Sequence, residues 1–185
     1  MYREKNEMEE LTLERALSLL PLRERNSHKG SFGSVLAVAG SAWYCGAASL
    51  AVEGALRTGA GIVTLASVEP VLAAVAARLP ECCLCPCESG AEGGIAPDPG
   101  NLDRIRRQKA TVLLLGPGIG SSSLSAARGQ ESKQLTETLV NGFPGSVLLD
   151  ADGLNAAALL LAEGKPFPHP AGELIVTPHP GEMAR

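Results

Sequence analysis

The residues best suited to chemistry fall in four short clusters of this 185-residue chain. They are Gly40-Ser41 with Gly46-Ala47-Ala48, then Gly116-Pro117-Gly118-Ile119-Gly120, Asp150-Ala151-Asp152-Gly153-Leu154-Asn155, and Thr177-Pro178-His179-Pro180-Gly181-Glu182. Glycines at 116, 118 and 120 let a ligand approach the backbone, whose free N–H groups suit phosphate oxygens. A helix opening at Ala47 would add unpaired N–H groups and a positive dipole end. Asp150 and Glu182 could hold a hydrated Mg2+, a hard cation that prefers oxygen ligands and keeps its waters. His179, held between two prolines, could hydrogen-bond a ligand in a set direction. Singly, each has a bland explanation: a tight strand-to-helix turn for the glycines, an N-cap for Asp150 or Asp152, a structural histidine. Together they share an order and, on the element pattern below, one edge of a sheet.

That pattern alternates short apolar runs with helices. Leu11 to Leu20 has helical spacing and stops at Pro21. Strands are predicted at Val35–Ala39, Ile62–Ala66, Val112–Leu115, Val147–Leu149 and Leu174–Val176. Helices are predicted at Ala47–Thr58, at Val71–Leu79 after Pro70, and at Leu102–Arg107 with Asn101 as cap. Two more follow at Leu124–Val140 and Leu154–Leu161, and Cys82 to Gly100 reads as loop with one short strand. Runs of four or five apolar residues between helices indicate βαβ units around a parallel sheet buried on both faces. Right-handed crossovers then place helices on both sides, giving a three-layer α/β/α sandwich. Ligands of such sheets bind beyond the carboxyl ends of the strands, where all four clusters fall.

Composition narrows the partners. A net charge of -4 and 3% aromatic residues argue against nucleic acid, which needs a basic footprint and stacking platforms. The basic run Arg104, Arg106, Arg107, Lys109 reads as a solvated helix face. No apolar stretch is long enough for a membrane helix, and the charged N-terminus lacks the apolar core of a signal peptide. A cytoplasmic protein with reduced cysteines is expected. Cys82, Cys83, Cys85 and Cys87 lack the paired spacing and partner ligands of a zinc site, so a Cys-rich strand and loop with no structural metal is expected.

HKGSFGSVLAVAGS (28–41), GAASLAVEGALRTGAGIVTLAS (46–67), LLLGPGIG (113–120), VLLDADGLN (147–155) and IVTPHPGE (175–182) resemble the ADP/ATP-dependent NAD(P)H-hydrate dehydratases of the ribokinase-like superfamily. The resemblance covers nearly all of residues 11 to 185. It implies a ribokinase-like three-layer α/β/α sandwich and a repair reaction in which hydrated NAD(P)H loses water at the expense of ADP or ATP with Mg2+. Phosphorylating the ring hydroxyl replaces a poor leaving group by a good one, and loss of phosphate restores the double bond. By position, the resemblance implies Ala47, Gly118 and His179 at the hydrated cofactor, with Gly116 in the same loop. Asp150, Asn155 and Glu182 fall near phosphate or metal, with Glu182 as the metal residue. His179-x-x-Glu182 is similar to the N-x-x-E motif of the superfamily. Family members are often fused to an epimerase domain, so a fused or separate epimerase partner is allowed, as is a homo-oligomer.

Departures from the family pattern are mild within the chain: Ser31 where aspartate is frequent, Phe32 in KGSFG, and Gly153 where alanine is usual. The family also continues past TPHPGE into a KG-x-x-T segment and a G-G-x-G-D-V-L loop that carry the nucleotide site and the catalytic aspartate. Residues 1–185 are therefore expected to form one partial domain with its C-terminal part missing, inactive by itself, and its last strand to leave an apolar edge. The alternatives are a small-molecule kinase of the same superfamily, which would not be expected to carry TPHPGE, and a non-catalytic dinucleotide-binding remnant. A Rossmann oxidoreductase fits less well, because the second predicted strand ends in Ala66-Ser67 rather than in an acidic residue.

Overall fold

The computed structural model describes residues 11–20 and 23–185; the leader reading for the charged N-terminus and the stop at Pro21 lie outside them. Helix α1 (Leu13–Leu19) is capped by Thr12, whose hydroxyl accepts the Arg15 amide at 3.2 Å. Six strands follow: β1 (Ser34–Val38), β2 (Ile62–Val68), β3 (Cys83–Cys87), β4 (Val112–Leu115), β5 (Ser146–Leu149) and β6 (Leu174–Val176). Between them run α2 (Cys45–Arg57), α3 (Glu69–Ala76), α4 (Pro99–Arg106), α5 (Ala126–Asn141) and α6 (Asp152–Ala162), and α7 (Pro180–Met183) ends the chain. All strand pairs are parallel, in the order β3-β2-β1-β4-β5-β6.

This order explains the layers. From β1 the chain winds outward through β2 to β3, returns past β1 to β4, and winds the other way to β6. With right-handed crossovers, the two outward directions put α2 and α3 on one face and α4, α5 and α6 on the other. Contacts between α2 and α3, and between α5 and α6, agree. The core is aliphatic and dense: Leu36, Val38, Val63, Leu65, Leu113, Leu115, Val147 and Leu149 are all buried in the sheet. At β6, the edge, Ile175 and Val176 are about half exposed.

Two expectations need correction. Helix α4 starts at Pro99, not Leu102, and its cap is Asp98, whose Oδ1 accepts the Gly100 and Asn101 amides at 2.8 and 3.1 Å. Proline at the first helical position is preset in φ and lacks the N–H that would go unpaired there. Asn101 is instead buried, its side chain bonding Glu88 N, Glu88 O and Ala96 O, each at 2.9 Å. Helix α2 opens at Cys45, two residues before Ala47. The Ala47 amide already donates to Tyr44 O at 3.2 Å, so the unpaired amides of this N-terminus belong to Cys45 and Gly46.

The cysteines need no metal to explain their burial. Cys85 and Cys87 point to one side of β3 as small apolar groups, while Cys83 is exposed. Among the described residues no three His, Cys, Asp or Glu side chains form a metal-sized group. No described helix is long and apolar enough to cross a membrane.

Candidate active-site crevice

The chain reverses its winding direction between β1 and β4, so the loops leaving these neighbouring strands diverge and open a crevice at their carboxyl ends. Ala47 and Gly118 meet there. Gly118 has φ +67°, and a Cβ built on it would lie 2.8 Å from Ala47 Cβ and 2.7 Å from Tyr44 Cβ. The loop is stitched to β1 by Gly116 N donating to Val38 O at 3.2 Å and Gly40 N to Pro117 O at 2.8 Å. Asp150 joins the same cleft, which is lined by Ala47, Leu50, Ala51, Pro117, Gly118, Asp150 and Ala151. Ser41, at the end of β1, has a buried hydroxyl with no hydrogen-bond partner among the described residues. Such orphaned groups concentrate where a ligand or water completes the set.

Gly116 serves the turn. Its φ is +127°, and a side chain there would collide with the carbonyl of Asp150 and sit 2.7 Å from the amide of Gly153. The strand-to-helix junction after β5 is tight in return: Ala151 holds φ 49° and ψ −119°, a region costly for any residue with a Cβ. This bend turns Asp150 toward the crevice and sends Asp152 into α6. Strain held at one residue between two carboxylates is typical of functional turns.

Asn155 lies on a neighbouring cleft with Ser121, Ser122, Ser123, Asp152 and Arg185. Its amide nitrogen donates to Asp152 Oδ1 at 3.2 Å, and its oxygen accepts from the Arg185 guanidinium. His179 and Glu182 stand one strand further, after β6. There His179 caps α7: its Nδ1 accepts the Gly181 amide at 3.0 Å, and its own N–H donates to Glu182 Oε2 at 3.0 Å. With Nδ1 an acceptor, the neutral ring carries its proton on Nε2, 3.2 Å from Glu182 Oε1. His28 repeats this device before β1, its Nδ1 accepting Gly30 N at 3.1 Å. Thr177 ties the two strand ends together by donating to Asp150 Oδ1 at 2.7 Å.

A hydrated Mg2+ needs one or two carboxylates, the rest of its shell being water and phosphate oxygens. Asp150 fits, with Oδ2 unengaged among the described residues. Both Glu182 oxygens face His179, so Glu182 reaches an ion only by leaving the cap.

Several residues of this edge are missing from the sequence reading. Asp152 Oδ2 accepts the Gly120 amide at 3.0 Å, joining the two central motifs. Arg128, fully buried on α5, bonds Glu131 at 3.0 Å, Ser132 at 3.1 Å, Ile95 O at 3.1 Å and Ala91 O at 3.3 Å. Burial pulls its guanidinium below the ordinary value, and Glu131 beside it pushes back. Ser132 in turn donates to Gly120 O at 2.7 Å, so Arg128 supports the glycine loop from below. Tyr44, exposed at the start of α2, sets its Cβ against Gly118, and Trp43, also exposed, precedes it. In a chain with only six aromatic residues that adjacent pair was a usable signal; nothing in the sequence marked Arg128.

The family model described as NAD(P)H-hydrate dehydratase matches residues 35–185. The chain belongs to the NAD(P)H-hydrate dehydratase family. It is 38% identical over 167 residues to a bifunctional NAD(P)H-hydrate repair enzyme of Gloeobacter violaceus, covering 90% of this chain and 30% of that protein. With an ADP-dependent (S)-NAD(P)H-hydrate dehydratase of Listeria monocytogenes it shares 31% over 187 residues, 96% of this chain and 57% of the relative. The structure of an ADP/ATP-dependent NAD(P)H-hydrate dehydratase from Bacillus subtilis, co-crystallised with ATP and Mg2+, superposes with a TM-score of 0.68 at 28% identity, over 95% of this chain and 54% of that one. The α/β fold is thus that of the ribokinase-like dehydratases, and the chain spans from about a third to little more than half of these relatives.

Proposed function

We propose that the crevice between β1 and β4 binds hydrated NADH or NADPH, and that the protein takes part in its ADP- or ATP-dependent dehydration. The observation that carries this is the seating of Gly118 on Ala47 and Tyr44 beside Asp150, at the one place where the sheet reverses direction. Small residues there let a flat ring or a diphosphate lie directly on the backbone. The unpaired amides of Cys45 and Gly46 face anionic oxygens. Asp150, with Asn155 on α6 and Glu182 on α7, stands toward phosphate and Mg2+, and His179 toward the dinucleotide. Phosphoryl transfer to the ring hydroxyl makes phosphate the leaving group; the C–O bond breaks, a proton leaves the adjacent carbon, and the double bond returns. Residues 1–185 act as part of one such domain, in the cytoplasm, with an epimerase, fused or separate, and further copies of the chain as partners.

The test supplies hydrated NADH with ADP or ATP and Mg2+ and follows recovery of NADH absorbance, alongside calorimetric binding of hydrated NADH. Binding that weakens at least about tenfold in Gly118→Leu, with folding retained, supports the site. Binding that is absent, or indifferent to Gly118, rejects it.

A further inference from the structure

The opposite end of the same two strands carries a second cavity. β1 begins at Ser34 and β4 just after Thr111, so these ends lie about 15 Å from the crevice at ~3.3 Å per residue. A cavity of about 480 Å³ opens there between α4, α5 and the sheet. Its walls are apolar, from Leu36, Ile105, Leu113, Leu139 and Phe143, and its rim carries Arg106 and Lys109. This is the size and character of a small-molecule site.

The polar groups on the cavity's floor are already satisfied by one another. Thr111 Oγ1 donates to Ser34 O at 2.9 Å and accepts the Ser34 amide at 3.0 Å, while the Thr111 amide donates to Ser34 O at 3.0 Å. The Gln108 side-chain nitrogen donates to Arg104 O at 3.2 Å. What remains to offer a ligand is positive charge. Arg106 makes one long bond, 3.5 Å to Thr138 O, and Lys109 has no ion pair among the described residues. No lining residue is acidic. The nearest acids on the two wall helices are taken: Asp103 pairs with Arg107 at 2.5 Å and Glu137 with Lys165 at 3.0 Å. In a chain of net charge -4 this is a local reversal of sign.

We propose that this cavity is a binding site for an amphipathic carboxylate, its hydrocarbon or aromatic body between α4 and α5 and its carboxylate on Arg106 and Lys109. The site is independent of the dinucleotide reading, since it shares no residue with the crevice. A neutral apolar ligand would leave both cations unanswered, and a cation would meet them as like charges. Charge-assisted bonds to a carboxylate satisfy them.

Octanoate, 1-octanol and octylammonium, titrated into the full chain by calorimetry, test this directly. Octanoate should bind, the other two about tenfold or more weaker, and Arg106→Gln with Lys109→Gln should erase the difference. Amide NMR shifts on octanoate addition should centre on Ala110, Thr111 and Phe143 rather than on the 116–120 loop. Equal binding of octanoate and octanol, no binding of octanoate, unchanged octanoate binding in the double variant, or shifts centred elsewhere would each overturn the proposal.

Discussion

Asp152 receives the Gly120 amide on Oδ2 at 3.0 Å, although the two residues are 32 positions apart. One carboxylate thereby closes the glycine loop onto the first turn of α6 and leaves Oδ1 to orient Asn155. Asp152→Ala removes a charged acceptor from a part-buried amide and should cost about 1.5–3 kcal/mol. A urea titration reads that loss as a lower midpoint with unchanged slope. An unchanged midpoint would show that the loop holds itself.

Gly116 and Gly118 should separate cleanly on substitution. Gly116→Ala drives a methyl into the Asp150 carbonyl and should destabilise the fold strongly. Gly118→Ala meets side-chain carbons at 2.7 and 2.8 Å and adds a left-handed backbone cost of about 1–2 kcal/mol. Its main readout should be dinucleotide affinity. Equal thermal shifts for the two variants, with equal affinity, would contradict this division.

Arg128→Met should lower unfolding stability by about 3 kcal/mol or more, since Glu131 and the Ala91 and Ile95 carbonyls lose their shared partner inside the protein. Arg128→Lys should not rescue it, because one ammonium cannot span the fork. Denaturation midpoints of the two variants decide the point.

Tyr44→Ala should weaken hydrated-NADH binding several-fold while leaving the melting temperature nearly unchanged, because the exposed ring contributes little to the core. Quenching of Trp43, the chain's one tryptophan and the residue before Tyr44, offers a titration signal.

The thiols of β3 give a pH dependence. A hydrogen bond from Cys87 pulls the Cys85 thiol from 9.0 down to about 7, against the upward push of burial and with help from Arg104. A depressed folded value means stability present above the unfolded value and lost as pH falls through about 7. The stability difference between the native chain and Cys87→Ala should therefore grow from pH 7 to pH 9. A flat difference would show that Cys87 does not act on Cys85.

Most of the sheet was legible because its strands are continuous apolar runs: β4 and β6 were predicted at their observed bounds, and β1, β2 and β5 within two residues. Helix starts were less so. Asp98 lies before a Pro-Gly pair that reads as loop, and only the placement of Pro99 at the first helical position makes the acid a cap. Ala47, Gly118 and Asp150 could be grouped from their positions after strands. The Asp152–Gly120 latch and the Arg128 support were invisible, since both are contacts between elements distant in sequence. His179 and Glu182 illustrate the reverse: their spacing suggested ligand chemistry, and the structure shows a capping box whose release would be needed to free the carboxylate.

The placement of β1 beside β4 also sets when the crevice comes into being. Its two walls belong to strands that begin 78 positions apart, at Ser34 and Val112. Closing a loop of that length costs ~4 kcal/mol in chain entropy before any contact rewards it. A growing polypeptide can form β1, β2 and β3 early, yet it has no such crevice until the Gly116–Gly120 loop has emerged and β4 has docked. Any ligand of the crevice can therefore stabilise only chains that have passed that closure.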